Sequence, residues 1–336
     1  MPARVARRRR WATADGGQHR RLTPAQPRSE GISMWGAPSS GKSTFGAALG
    51  VALEKHPYER WRLRGVDIRS SDALGRLQNA LVHTGEFPVG TQEPADYNWE
   101  LVNPDERAGM RGLLGLTRRD RTERIALHLR DGPGRFQNPD RWLDTPRARE
   151  LVETMAACAG FIFLYDPVSE HTMGDSYQHT SALLARIDQR LGGEPGGYLP
   201  QHLAVCLAKL DDARVYRSAL TATVVDHNYA VDDSPFVPDY LAEEFFARMC
   251  RASPNPAAQE LPPKLNRYFH PDRIRFFVTS AIGFYVNPST GRFDPGDYRN
   301  VIAEPGEKPK IRVAIRPINV MEPVLWLAEH MKGSQS

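Results

Sequence analysis

Long apolar runs are what this 336-residue chain most obviously lacks. Its longest, such as Phe161 to Tyr165, fall far short of the ~20 residues that cross a bilayer, so no membrane span is expected. Cysteine is scarce too. Cys158, Cys206 and Cys250 are too few, too scattered and odd in number for a disulfide framework or a thiolate metal site. They read as small buried apolar residues in a reducing, cytoplasmic compartment. Lysine supplies only seven of the 44 basic residues, the rest being arginine. Neither of the long intervals 56–121 and 212–272 contains an internal repeat or a run of one residue type.

What is present is enough for a globular protein, since an apolar content of 40% can build a sizeable core. The formal charge of +4 is unevenly placed. Eight arginines against Asp15 and Glu30 put +6 on residues 1–30, leaving the remainder close to neutral. An Arg-rich, solvated and disordered tail is the expectation for 1–30, and nucleic acid is not expected as a partner except through that tail. Arg7 to Arg10 followed by Trp11 resembles the start of an export signal, but no apolar segment follows before Gly31, so export is not expected.

From Gly31 onward, short apolar runs alternate with helical stretches, the pattern of a mostly parallel sheet flanked by helices. Strands are predicted at Ile32–Trp35, Trp61–Ile68, Trp99–Val102, Leu113–Thr117, Arg124–Arg130, Gly160–Tyr165, Leu203–Ala208 and Arg275–Thr279. Helices are predicted at Lys42–Lys55, Asp72–His83, Pro146–Cys158, Tyr177–Leu191, Asp239–Cys250 and Met321–Met331. Two intervals, about 56–121 and 212–272, interrupt the rhythm. Neither has the apolar runs for a core of its own, so both read as insertions into one domain spanning 31–333.

The segment Gly36-Ala37-Pro38-Ser39-Ser40-Gly41-Lys42-Ser43-Thr44 fits GxxxxGK(S/T), with the apolar run Ile32–Trp35 before it and a helical pattern after it. Such a loop curls so that successive N–H groups, those of Ser39, Ser40 and Gly41 among them, face phosphate oxygens, and the helix N-terminus adds partial positive charge. Lys42 can then reach the β and γ phosphates, and the Ser43 hydroxyl can ligate Mg2+. Lysine here, in a chain that otherwise favours arginine, suits a pocket between two phosphates better than a planar fork would. The plain alternative is a glycine-rich turn ahead of an ordinary helix.

Downstream residues choose among the branches of phosphate-loop proteins. The strand Arg124–Arg130 leads into Asp131-x-x-Gly134, where a carboxylate can reach the Mg2+ shell and a glycine N–H can meet the γ-phosphate. The strand Leu203–Ala208 runs into Lys209-Leu210-Asp211, at the sheet edge where ligands of open α/β sheets bind. A carboxylate there can accept both N–H donors of guanine's pairing edge, which adenine lacks, while the Lys209 stem covers the base. The strand ending at Thr279 leads into Ser280-Ala281-Ile282, where a backbone N–H can meet the guanine carbonyl.

The order of these motifs, each at a predicted strand end, resembles that of the translation-factor and Ras-like class of GTPases over residues 31–285. It is most similar to the bacterial double-GTPase families. The resemblance implies a three-layer, small-GTPase-like P-loop NTPase fold that binds GTP or GDP with Mg2+. It also implies a switch threonine completing the Mg2+ shell, at Thr91 or alternatively Thr84; a loop threonine bonding its own backbone is the plain reading of either. Two departures matter. Ala208 stands where the family motif has Asn or Thr, removing a side chain that braces the phosphate loop. After Gly134 come Arg135 and Phe136 where many switches have a glutamine, with Gln137 further on as the candidate to orient water. The expectation is therefore a slow, Mg-dependent GTPase switch, in bacterial signalling or conflict systems, that depends on a protein partner. The alternatives are a nucleotide-binding scaffold without turnover and a P-loop kinase for a small molecule. His128, His171 and His179 lack metal-ligand spacing, and Leu325 with Trp326 reads as a core or docking face.

Overall fold

In the computed structural model, residues 29–55, 60–88, 95–103, 123–131, 145–193, 197–228, 232–303 and 306–333 are described. The expected disordered tail lies outside them, apart from its last two residues, and so does the strand expected at Leu113–Thr117.

The apolar run before the Gly36–Thr44 loop becomes β1 (Ser29–Gly36), whose Ile32 and Met34 are wholly buried. It is followed by α1 (Lys42–Lys55), whose Gly46 is demanded by packing: a Cβ there would sit 2.2 Å from the ring of Trp99. Next come β2 (Arg62–Gly65) and α2 (Ile68–Asn79). The strand expected at Trp61–Ile68 stops early because Asp67 accepts the Ser70 N–H at 2.7 Å and starts the helix there. The helix runs into a wider π turn, Ala80–Thr84, which Gly85 ends at φ +65.

Strands β3 (Ala95–Asn103) and β4 (Glu123–Asp131) follow, then α3 (Pro146–Ala157), capped by Thr145 with proline at its first turn. The chain continues through β5 (Cys158–Tyr165), α4 (Pro167–Met173), α5 (Ser176–Leu191), β6 (His202–Leu207) and α6 (Ala213–Thr221). A small hairpin pairs β7 (Asp226–His227) with β8 (Pro235–Phe236) before α7 (Asp239–Arg251). The proline-rich stretch then forms a 3-10 turn, Pro256–Glu260, and α8 (Leu261–Tyr268). Prolines there stand in first turns, where no N–H is needed, so they start helices instead of breaking them. Last come β9 (Ile274–Val278), the hairpin β10 (Val301–Ile302) with β11 (Lys310–Ile311), and α9 (Glu322–Gly333).

The main sheet has the order β2-β3-β4-β1-β5-β6-β9. Only the β2–β3 and β3–β4 pairs are antiparallel; the others are parallel. Successive residues of β5 divide between its two faces, as strand geometry requires. Phe161, Phe163 and Tyr165 join a core with α3, α5, α7 and α8, whereas Ile162 and Leu164 join one with α1 and α9. The result is a three-layer α/β sandwich with a phosphate-type loop between its central strand and first helix: the small-GTPase-like P-loop architecture. Residues 239–269 contribute Phe245, Phe246, Leu261, Leu265 and Phe269 to the first of these cores.

Candidate functional site

Two glycines shape the loop for different reasons. Gly41 adopts φ +89, a conformation that side chains disfavour, and lets α1 begin at Lys42. Gly36 is a close-approach position, since a Cβ there would lie 2.5 Å from the Leu164 carbonyl oxygen and 2.6 Å from Ser40 Oγ. Between them the chain is drawn inward by the Ser40 N–H donating to the Ala37 carbonyl at 3.1 Å. Ser39, exposed, holds φ +63 without being glycine. Ser40 is 2% exposed, and its Oγ has no hydrogen-bond partner among the described residues.

Lys42 is buried at 6% exposure and folds back over the loop. Its Nζ donates to the Gly36 and Ala37 carbonyls at 3.2 and 3.1 Å. The ammonium thus sits beside the loop's backbone groups, where the first helical turn also carries Ser43 and Thr44, both partly buried.

Asp131 is the last residue of β4, two positions beyond the Met34–Leu129 pair and hence level with Gly36 on the neighbouring strand. It pairs with Ala95, where β3 begins. Thr91, Gly134 and Gln137 lie outside the described residues. Thr84, the competing switch threonine, donates its Oγ1 hydrogen to the Ala80 carbonyl at 3.0 Å within the π turn.

Across the same sheet edge, the residues following β6 and β9 come together. The Ala208 N–H donates to the Tyr165 carbonyl, the Thr279 N–H to Leu207 and the Leu210 N–H to Thr279, at 2.8, 2.7 and 3.0 Å. Ser280 Oγ donates to Asp211 Oδ1 at 2.5 Å and accepts the Gly283 N–H at 2.8 Å. Ser280 and Ile318 exchange backbone hydrogen bonds, which commits the Ser280 N–H. The next N–H, that of partly buried Ala281, has no hydrogen bond among the described residues. Burial pushes the Asp211 carboxyl up to about 6; the Ser280 hydrogen bond and Lys209 oppose this, and Asp212 adds to it. Its residue surface is not fully closed, but the carboxylate itself lies deep.

Lys209 adopts φ +63, and its Nζ lies 2.6 Å from Oδ2 of Asp166. Asp166 was not among the residues expected to matter. It follows β5 directly and caps α4 by accepting the Val168 N–H at 2.9 Å. An Asp-Pro pair immediately after an apolar strand is the sequence signal that marks it.

His128 pairs with Asn98 at 3.1 Å, His179 with Asp175 at 3.2 Å in the i,i+4 relation, and all three cysteines are buried. Trp326 is buried against Phe277 in the α1–α9 core. No three His, Cys, Asp or Glu side chains among the described residues are placed to hold a metal. No described helix is long and apolar enough to cross a membrane. A cleft of about 480 Å3 is lined by Gly296 to Arg299, Val301 to Ala303 and Arg312, none of them residues of the loop or of the Asp211 cluster.

No protein-family model and no curated protein matches the chain. Solved structures similar to it include the signal recognition particle receptor SRb-GTP/SRX complex from Chaetomium thermophilum, at 13% identity and TM-score 0.35, covering 77% of this chain and 92% of that one. The Arl6 BBS3 small GTPase from Trypanosoma brucei, with a bound nucleotide analogue, GppNp, is 12% identical, with TM-score 0.35 and coverage of 90% and 98%. The GTP-bound Ski7 GTPase-like domain from S. cerevisiae is 12% identical, with TM-score 0.36 and coverage of 91% and 51%. Likenesses of this degree assign neither a ligand nor an activity to the chain.

Proposed function

We propose that this protein is a guanine-nucleotide switch: it binds GTP and GDP with Mg2+ and hydrolyses GTP slowly. One observation carries the proposal. The Gly36–Thr44 loop and the Asp211–Ser280 pair stand at the same carboxyl edge of a mostly parallel sheet, where a ligand can span phosphate and base subsites. Lys42 would neutralise the β and γ phosphates, exchanging loop carbonyls for phosphate oxygens. Asp211 would accept guanine's N1–H and exocyclic N–H, and the Ala281 N–H would donate to the guanine carbonyl.

A hard divalent cation fits the donor chemistry, a hydroxyl on the first turn of α1 and a carboxylate-bearing residue closing the adjacent strand. Ser43, Asp131 and Thr91 would hold Mg2+, which when bound lowers the charge crowding of the phosphates. Gly134 would report the γ-phosphate and Gln137 would orient the attacking water. A partner protein supplying a further charge would accelerate turnover, by as much as ~10⁵ where an arginine finger does so.

The test is equilibrium binding of GTP, GDP and ATP to purified protein with and without Mg2+, followed by single-turnover phosphate release. Selective GTP binding with slow release is expected. Equal affinity for ATP refutes the base assignment. Tight GTP binding without any phosphate release, even with cell lysate added, establishes the scaffold reading, which Ala208 and the Arg135–Phe136 pair after Gly134 favour. Phosphate appearing on an added metabolite would instead establish a kinase.

A further inference from the structure

Ala208 lacks the side-chain amide that would brace the phosphate loop and contact the base, yet the base loop is held by other contacts. Its backbone is stitched to β5 through the Ala208 N–H, and its one cation, Lys209, reaches back to the same place. Asp166 is 2% exposed, and its two oxygens are divided between two tasks. Oδ1 accepts the Val168 N–H and sets the start of α4. Oδ2 has no aligned hydrogen bond among the described residues; its near neighbour is the Lys209 ammonium, in a charge contact at 2.6 Å. A buried carboxylate without a counter-charge is unfavourable, so this geometry strongly favours the ammonium staying where it is. Lys209 is also held at its backbone: φ is +63, and its carbonyl accepts the Asp212 N–H at 2.9 Å.

We infer that Asp166 is a positioning residue for guanine recognition: by anchoring the Lys209 ammonium from the end of β5, it holds the lysine stem and Asp211 in the geometry that selects guanine. The inference rests on the guanine-nucleotide reading and adds a residue to it. Asp166 touches no base in this account. Its effect passes through Lys209, whose side chain is 38% exposed and, released from its anchor, would turn to solvent.

Asp166→Asn tests this, because asparagine keeps an oxygen for the Val168 N–H and puts a neutral NH2 group, which cannot hold an ammonium, in place of Oδ2. With fluorescent N-methylanthraniloyl GDP and ADP as probes, the variant is expected to release GDP about tenfold faster while ADP release, governed by the phosphate loop, stays within twofold. A purely structural role would move both nucleotides together and would overturn the inference. In a Lys209→Gln background, Asp166→Asn is expected to add nothing; a further full-sized loss of GDP selectivity also overturns it. Should Asp166→Asn not fold, Asp166→Glu keeps the charge and moves the carboxylate outward by one carbon. An altered GDP-to-ADP ratio then supports the inference, and an unaltered one overturns it. The two levels separate in the parent protein. If it does not prefer GDP to ADP, the base assignment falls and takes this inference with it; a preference that survives Asp166→Asn overturns the inference alone.

Discussion

If the guanine reading is right, selectivity for guanine should fall about tenfold in mild acid. Recognition needs Asp211 ionised, because a protonated carboxyl cannot accept two N–H donors at once, and burial has already moved this group up to about 6. At pH 7.5 more than nine-tenths of the ligand-free protein is competent. At pH 5, one unit below that value, roughly a tenth is, so the apparent affinity for GDP should fall about tenfold, or ~1.4 kcal/mol. The terminal phosphate of the nucleotide titrates in the same range, so the quantity to follow is the ratio of GDP to ADP affinity, by calorimetric titration from pH 4.5 to 8. Both ligands carry the same diphosphate, and only one uses the carboxylate.

The same carboxyl links to stability with a definite sign. A carboxyl raised from 3.8 to about 6 in the folded state contributes stability that is fully present below pH 3.8 and is lost as pH rises through 6. At neutral pH the nucleotide-free protein therefore carries a cost, ~1–3 kcal/mol with allowance for its partly open surroundings. Asp211→Asn should remove that cost, melting higher than the parent without nucleotide while gaining less on addition of GDP. A GDP-to-ADP ratio that is flat with pH in the parent, or an Asn variant that still gains full stability from GDP, would refute the assignment of Asp211.

Three further outcomes follow from the loop and its supports. Lys42→Ala removes the buried ammonium over the Gly36 and Ala37 carbonyls and should cost roughly 2 kcal/mol or more of nucleotide affinity, for GDP and ADP alike, in the same titrations. Ser39→Gly relaxes a non-glycine residue at φ +63 and should raise unfolding stability by up to about 1 kcal/mol, read from urea denaturation; a loss of stability would show that the Ser39 side chain makes a compensating contact. Gly46→Ala places a methyl group 2.2 Å from the Trp99 ring and should destabilise by about 1–3 kcal/mol, with the tryptophan emission of the folded state altered as the ring shifts.

Much of the frame was legible because it is written in short-range patterns. The apolar runs at Ile32–Trp35, Gly160–Tyr165 and Leu203–Ala208 could be read as buried parallel strands since they are flanked by polar turns and helices. The spacing of Gly36, Gly41 and Lys42 encodes a backbone path that needs little beyond its own residues. Differences arose where a side chain outranked the local pattern. Asp67 turned the end of an apparent strand into a helix start, and the helical turns that begin at the prolines near 256–263 were not among the predicted helices. The helices Pro167–Met173 and Ala213–Thr221 went unread because each is too short to show a clear period, although the capping Asp166 and Asp212 mark their starts.

The sequence by itself determined the Gly36–Thr44 loop, the α/β class and the candidate pair Lys209 and Asp211, since each depends on residues close in the chain. Only the tertiary structure decided what surrounds them. Asp211 and Ser280 are 69 residues apart and meet because β6 and β9 are parallel neighbours. Asp166 and Lys209 meet because β5 lies beside β6. Contacts of that kind come from the strand order of the sheet, and no local spacing records it; that is why the Asp166–Lys209 contact is visible in the fold and silent in the motif.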